Sequence, residues 1–247
     1  MMKQSLLCII LLCMSMMNLA HAFMAIEPQE TVVLLHGIAR TGDSLSTIEH
    51  VLKENNYRVV NITYPSQKKN LKDIAKYLND VHLTKKFWAT QTKVHIVTHS
   101  MGGLVARQYL EQYKDTIDLN KLGRVVMMAP PNKGSEISDL IHNTPVYNWY
   151  YGPAGQELTT EEQAKNMARP TFYELGIIAG KKEWTYFVAA WVTPGKSDGR
   201  VTVESTKLDG MKDHVSLSAT HTFIMEKPLV HQHILYFLKT GEFQHEK

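Results

Sequence analysis

Cysteine is almost missing from this chain. Of its 247 residues only Cys8 and Cys13 are cysteines, and both lie in the leading apolar segment. Without that segment the chain can form no disulfide and offers no thiol nucleophile. Long apolar runs are missing too: Leu6 to Met17 is roughly a dozen residues, short of the ~18–20 that span a bilayer. Charge of one sign is not in excess. Lys and Arg number 27 against 24 Asp and Glu, a formal net charge of +3, and no basic stripe is interleaved with aromatics. Nucleic acid is therefore not an expected partner. There is no His-Glu-x-x-His spacing and no phosphate-loop pattern, so no metal or cofactor is expected.

What is present begins with an export signal. Lys3 supplies a positive start, Leu6 to Met17 an apolar middle, and Ala20-His21-Ala22 the small residues read by a signal peptidase. Residues 1–22 are expected to be removed, delivering the chain from Phe23 onward to a bacterial periplasm or the medium. The remainder is long enough for one domain with a sizeable core, since 44% of the chain is apolar.

From Thr31 on, β-branched apolar runs alternate with helical spacing. Thr31 to Leu35 reads as a buried strand, and Ser44 to Asn55 as a helix with Leu45, Ile48, Val51 and Leu52 inward. Tyr57 to Thr63 is a second strand. Asn70 to Trp88 reads as one long helix with Leu71, Ile74, Leu78 and Val81 on its buried face. Lys93 to Thr98 is a strand, Met101 to Tyr113 a helix, and Leu122 to Met128 a strand. Further strands are expected at Thr185 to Trp191 and near Met211 to Leu217, with a last helix from about Glu226 to Lys239. Such alternation implies an α/β class: a compact sheet of about six mostly parallel strands with helices on both faces. Residues 132 to 182 break the rhythm with Gly, Pro, Asn and an aromatic cluster, and are expected to form a small cap-like insertion over the strand ends.

The chemistry centres on Thr98-His99-Ser100-Met101-Gly102, a strand, a sharp turn and a helix start. A serine on such a nucleophile elbow projects above the sheet, where a base can reach it. The usual first glycine is threonine here, Thr98, while Gly102 and Gly103 permit close helix packing. A serine hydroxyl needs a base and a group that orients the base. In this architecture the acid and then the base follow the serine along the chain. Asp198, in Ser197-Asp198-Gly199-Arg200-Val201, lies in a tight loop and is the candidate acid. His221, in the loop before the last helix, is the candidate base in preference to His214, which sits in or beside a strand. Two backbone N–H groups are needed for an oxyanion. Met101 follows the serine, and Ile38 lies in the Leu35-His36-Gly37-Ile38 turn after the first strand. His36, Gly37, Tyr147 and Trp149 are the candidate substrate contacts.

With these residues in place, the chain resembles the α/β-hydrolase superfamily, in particular small bacterial lipases and esterases of the lipase class 2 type. The resemblance is carried by Leu34-Leu35-His36-Gly37-Ile38-Ala39-Arg40, Thr98-His99-Ser100-Met101-Gly102-Gly103, Ala129-Pro130-Pro131-Asn132-Lys133-Gly134-Ser135, Asp198-Gly199-Arg200-Val201 and Thr220-His221-Thr222-Phe223. It implies the α/β-hydrolase fold and an acyl-ester or lipid substrate cleaved through an acyl-enzyme on Ser100; the aromatic cluster at Tyr147 to Tyr151 points separately to an apolar acyl site or to transient contact with a lipid surface. An acyltransferase or thioesterase on the same residues, or a silent fold that only binds, are the alternatives.

Overall fold

A computed structural model describes residues 29–165, 172–181 and 195–245. The expected signal peptide, residues 1–22, and the strand expected at Thr185 to Trp191 lie outside the described residues.

Among the described residues the sheet has six strands: β1 (Thr31–Leu35), β2 (Arg58–Ile62), β3 (Val94–His99), β4 (Leu122–Met128), β5 (Leu175–Lys181) and β6 (Asp213–Ser218). Their order is β2-β1-β3-β4-β5-β6, and every pairing is parallel. Alternate side chains of a strand point to opposite faces, and that parity sorts the core into two layers. Val33, Leu35, Val94, Ile96, Val125, Met127, Leu175 and Ile177 join one apolar cluster. Val32, Leu34, Val97, Val126, Met128 and Ile178 join the other. Strands buried on both faces read as continuous apolar runs, which is why β1 was legible.

Helix α1 (Ser46–Glu54) and the last helix, α9 (Pro228–Thr240), cover the second face with Ile48, Leu52, Val230, Ile234 and Phe237. Helices α2 (Leu71–Tyr77), α3 (Lys85–Thr90) and α4 (Met101–Tyr113) cover the first with Ile74, Trp88, Leu104 and Tyr109. The helix expected to run unbroken from Asn70 to Trp88 is interrupted. A wider turn at Leu78–His82 follows α2, and the Thr84 side chain then caps α3 by accepting from the Phe87 N–H. The wider turn rotates Val81 off the apolar stripe, leaving it 54% exposed rather than buried.

The described residues of the segment expected as an insertion over 132–182 contain three short helices: α5 (Glu136–Ile141), α6 (Pro145–Gln156, kinked at Gly152) and α7 (Thr160–Lys165). The sheet resumes before that range ends, because β5 at Leu175–Lys181 pairs with both β4 and β6. A one-turn helix, α8 (Val203–Thr206), completes the set among the described residues.

The strand order reverses direction between β1 and β3. Loops leaving the C-terminal ends of strands on either side of such a reversal diverge and leave a crevice. The loop carrying Ile38 leaves β1, and the turn carrying Ser100 leaves β3.

Candidate active site

Ser100 sits between β3 and α4 with φ 54° and ψ −129°. That backbone state costs a non-glycine residue on the order of 1–3 kcal/mol and persists only where its surroundings impose it. Here the Ser100 N–H donates to the Met128 carbonyl (2.8 Å), and its own carbonyl accepts from the Gly103 N–H (2.9 Å). Gly102 lies so close to β1 that a Cβ on it would be 2.4 Å from the Leu35 carbonyl oxygen. Gly103 faces Thr98: a Cβ there would be 3.4 Å from the threonine Oγ1. The close approach at Gly103 is to Pro130 Cβ (2.9 Å) and Met127 Sδ (3.1 Å) rather than to the threonine that replaces the usual first glycine, whose buried hydroxyl has no hydrogen-bond partner among the described residues.

The structure brings Ser100, His221 and Asp198 into one line. The Ser100 hydroxyl donates to His221 Nε2 at 2.9 Å, and His221 Nδ1 donates to Asp198 Oδ2 at 2.7 Å. The second carboxylate oxygen of Asp198 accepts from the Arg200 and Val201 N–H groups at 2.9 and 2.8 Å. These bonds leave one oxygen free to take the imidazole N–H, which selects the tautomer with an acceptor facing the serine. The Asp198 carbonyl also accepts from the His221 N–H at 3.0 Å, so the two loops are tied by backbone as well. All three side chains are buried. His214 lies elsewhere, on β6, with its Nε2 3.1 Å from Thr206 Oγ1.

Two residues that the sequence did not single out hold this line. Gly180 on β5 lies under Asp198: a Cβ there would be 2.7 Å from Asp198 Cβ and 2.8 Å from the Ala219 carbonyl. His99, beside the serine, is buried and donates from Nε2 to the His221 carbonyl at 2.9 Å. Burial and the neighbouring His221 hold the His99 ring well below the usual histidine pKa, so it is neutral. For His99 the one signal was its place beside the serine; Gly180 carried none, because it fell in the segment expected as an insertion rather than in a strand.

Met101 is the first residue of α4, where backbone N–H groups have no intrahelical acceptor. Ile38 follows Gly37, which lies against the serine: a Cβ on Gly37 would be 3.1 Å from Ser100 Cβ. Neither the Ile38 nor the Met101 amide donates to a protein acceptor among the described residues. His36 is corrected from substrate contact to brace. It is fully buried, stacks on Tyr64 with ring centroids 4.1 Å apart, donates from Nδ1 to the Gly37 carbonyl, and accepts from the Tyr64 N–H on Nε2. The Tyr64 hydroxyl in turn donates to the His36 carbonyl.

Above the line lies a cavity of about 230 Å³ whose walls include Ser100, His221, Ile38, Ile137, Ile141 and Leu158. Tyr147 belongs to this wall; its hydroxyl is already bonded to Ser138 Oγ (3.0 Å) and to the Gly155 carbonyl (2.9 Å), so it presents its ring. Trp149 is corrected: it is 84% exposed on the outer side of the same helix and does not line the cavity. Among the described residues no group of three or more His, Cys, Asp or Glu is placed to hold a metal ion, and no helix is long and apolar enough to cross a membrane. A serine hydroxyl bonded to a histidine, a carboxylate on that ring's other nitrogen, two amides without a protein acceptor and a recess with apolar walls are parts that acyl transfer can use.

A family model described as "Domain of unknown function (DUF7379)" matches residues 18–159, a span that includes Ser100 and Ile38 but not Asp198 or His221. No curated protein matches. The fold is similar to that of the mature Bacillus licheniformis lipase BlEst2, with TM-score 0.70 and 18% identity over 87% of this chain and 93% of that one. It is also similar to the metagenomic carboxyl esterase MGS0156 (TM-score 0.64, 14% identity, 79% of this chain and 65% of that one). A thermophilic esterase from Thermogutta terrifontis gives TM-score 0.57 and 14% identity over 87% of this chain and 91% of that one. The likeness to all three is one of architecture: the chain has the α/β-hydrolase fold.

Proposed function

This chain belongs to the DUF7379 family, a domain of unknown function, and we propose that it is a serine hydrolase cleaving carboxylic esters. The observation that carries the reading is the unbroken line from Ser100 Oγ through His221 to Asp198, at 2.9 and 2.7 Å, opening into an apolar cavity. In this mechanism His221 takes the Ser100 proton as Oγ attacks the ester carbonyl. The Ile38 and Met101 N–H groups receive the oxyanion; removing one such donor typically costs ~3–4 kcal/mol of barrier. Asp198 holds the imidazolium that forms. His221 then gives its proton to the departing alcohol, leaving an acyl group on Ser100, and a water deprotonated by His221 releases the acid.

The cavity supports an acyl rather than a polar substrate portion. Ile38, Ile137, Ile141, Leu158 and Val201 supply apolar wall, and two of its hydroxyls are already bonded: Ser135 Oγ donates to the Arg200 carbonyl, and Ser138 Oγ accepts from Tyr147. A polar group placed against that apolar wall would lose its water without gaining a partner there. At about 230 Å³ the cavity is smaller than the ~300–1,000 Å³ typical of drug-sized ligands, which favours short acyl chains. The test is a series of chromogenic esters of increasing acyl length, with amide and thioester analogues of the best one. Turnover of the short esters, lost in Ser100→Ala, supports the reading. Turnover confined to amides or thioesters, or none at any length, refutes it. Export belongs to the same proposal, and the mature protein recovered outside the cytoplasm then begins at Phe23.

A further inference from the structure

The outer side of α5 and α6 has a surface that the active-site chemistry does not explain. Val146 is 74% exposed, Trp149 84% and Leu140 65%, with Tyr150 also exposed. Val146, Trp149 and Tyr150 stand at i, i+3 and i+4 on α6 and so share one face of the helix; Trp149 and Tyr150 have ring centroids 6.5 Å apart. The segment is also uncharged. Between Asp139 and Glu157 there is no Lys, Arg, Asp or Glu, although a solvent-facing helix normally carries charge on its outer face. Cations flank it instead. The loop carrying Lys68 and Lys69 is fastened to α6 through Gln67, whose amide donates to the Tyr150 carbonyl. The two backbones touch there, since a Cβ on Gly152 would collide with the Gln67 carbonyl. Among the described residues neither lysine is ion-paired.

We propose that this face, formed by Leu140, Val146, Trp149 and Tyr150 with Lys68 and Lys69 at its edge, docks on an anionic lipid surface. Tryptophan and tyrosine favour the headgroup level, where an apolar ring body and a polar edge are both satisfied. A helix with one apolar face lies in that plane, with the face sunk roughly 5–10 Å. Lysines beside it add attraction to anionic headgroups within a Debye length. The inner sides of the same two helices supply Ser138, Ile141 and Tyr147 to the cavity wall. A docked lipid surface therefore lies about one helix diameter, ~10 Å, from the cavity above Ser100.

The test is co-sedimentation of Ser100→Ala protein with vesicles of phosphatidylcholine alone or mixed with phosphatidylglycerol. Silencing the serine keeps the lipid intact, and a thermal melt serves as the fold control, so the result stands whether or not any ester is turned over. The protein partitions onto the anionic vesicles and is released by 0.5 M salt. Adding Val146→Ser with Trp149→Ser weakens partition at least tenfold at an unchanged Tm. Lys68→Gln with Lys69→Gln weakens it roughly 30-fold, from the attraction of two lysines near the surface. Three results overturn the proposal. One is no partition onto anionic vesicles. Another is equal partition onto phosphatidylcholine alone, with the lysine pair irrelevant. The third is a lipid-free dimer that Val146→Ser with Trp149→Ser dissolves, which would assign the face to a second copy of the chain.

Discussion

Gly180→Ala tests how the acid is positioned without touching any group that reacts. A Cβ at Gly180 meets Asp198 Cβ at 2.7 Å and the Ala219 carbonyl oxygen at 2.8 Å. Real Cβ contacts essentially never fall below 3.0 Å and ordinary contact begins at 3.4 Å, so relieving the 2.7 Å approach takes a retreat of about 0.3–0.7 Å between the two. The 2.7 Å bond to His221 Nδ1 is what that retreat lengthens. Misplacing a reacting group by ~1 Å can cost ~100-fold in rate, or ~2.7 kcal/mol of barrier. The expected outcome is a fall in kcat of about that size with KM little changed, since Gly180 does not line the cavity. Overpacking itself costs about 1–3 kcal/mol of stability, so a matched control is needed. Gly176→Ala lies on the same strand, four residues and ~13 Å away, and its Cβ would press on the Phe237 ring at 2.6 Å. That variant should lose stability and keep kcat. The assay is steady-state kinetics on a short chromogenic ester beside urea melts of both variants. A Gly180→Ala enzyme with the kcat of the parent, or equal losses of kcat in the two variants, would refute the positioning role.

Three further outcomes follow from the same geometry. His221→Ala abolishes ester turnover while His214→Ala, which removes only a side chain bonded to Thr206, keeps most of it; the reverse result in the same assay would move the base to β6. His99→Phe removes the N–H that holds the His221 carbonyl. It lowers stability by ~1–3 kcal/mol because that carbonyl is orphaned, and lowers kcat about tenfold; His99→Gln, which can still donate, recovers most of both, and equal kcat in all three proteins would count against a positioning role. Burial depresses the pKa of both His36 and His99 in the folded chain. The unfolded chain therefore takes up their protons first as pH falls below about 6.5, and stability drops by up to ~1.4 kcal/mol per pH unit for each until the folded forms also protonate. Urea midpoints that stay level between pH 7.5 and 5.5 would contradict this.

The central parts of the fold were legible because they bury the same residue types that name them. β1 and the second half of β4 are runs of Val, Leu and Met buried on both faces, β3 carries Val94, Ile96 and Val97 among buried His and Thr, and α4 begins and ends where its sequence pattern does. β5 was not legible. Leu-Gly-Ile-Ile-Ala-Gly-Lys carries two glycines, which weaken a strand signal. Both glycines answer to distant neighbours, Phe237 for Gly176 and Asp198 for Gly180, and no local window contains those contacts. The break after α2 was hidden for a similar reason, since the apolar spacing continues through Val81 although the backbone turns wider there.

The site divides in the same way. Ser100, Asp198 and His221 were singled out from turn chemistry and chain order, and His221 lies within hydrogen-bond distance of both the others. Tyr147 and Trp149 could not be told apart in an aromatic cluster. Two residues on a helix differ by about 200° in direction, and only packing decides which one turns inward. His36 was read as a substrate contact in the loop after β1, and is instead buried against Tyr64, 28 residues away just past the end of β2.

The most direct measurement is the mass of the enzyme caught during turnover. The wild-type protein, quenched in acid within milliseconds of mixing with a short activated ester, should gain one acyl group, located by peptide mapping to Ser100. Ser100→Ala protein should gain none. Ester turnover with no acyl group on Ser100, or the same adduct formed by Ser100→Ala, would contradict catalysis through this serine.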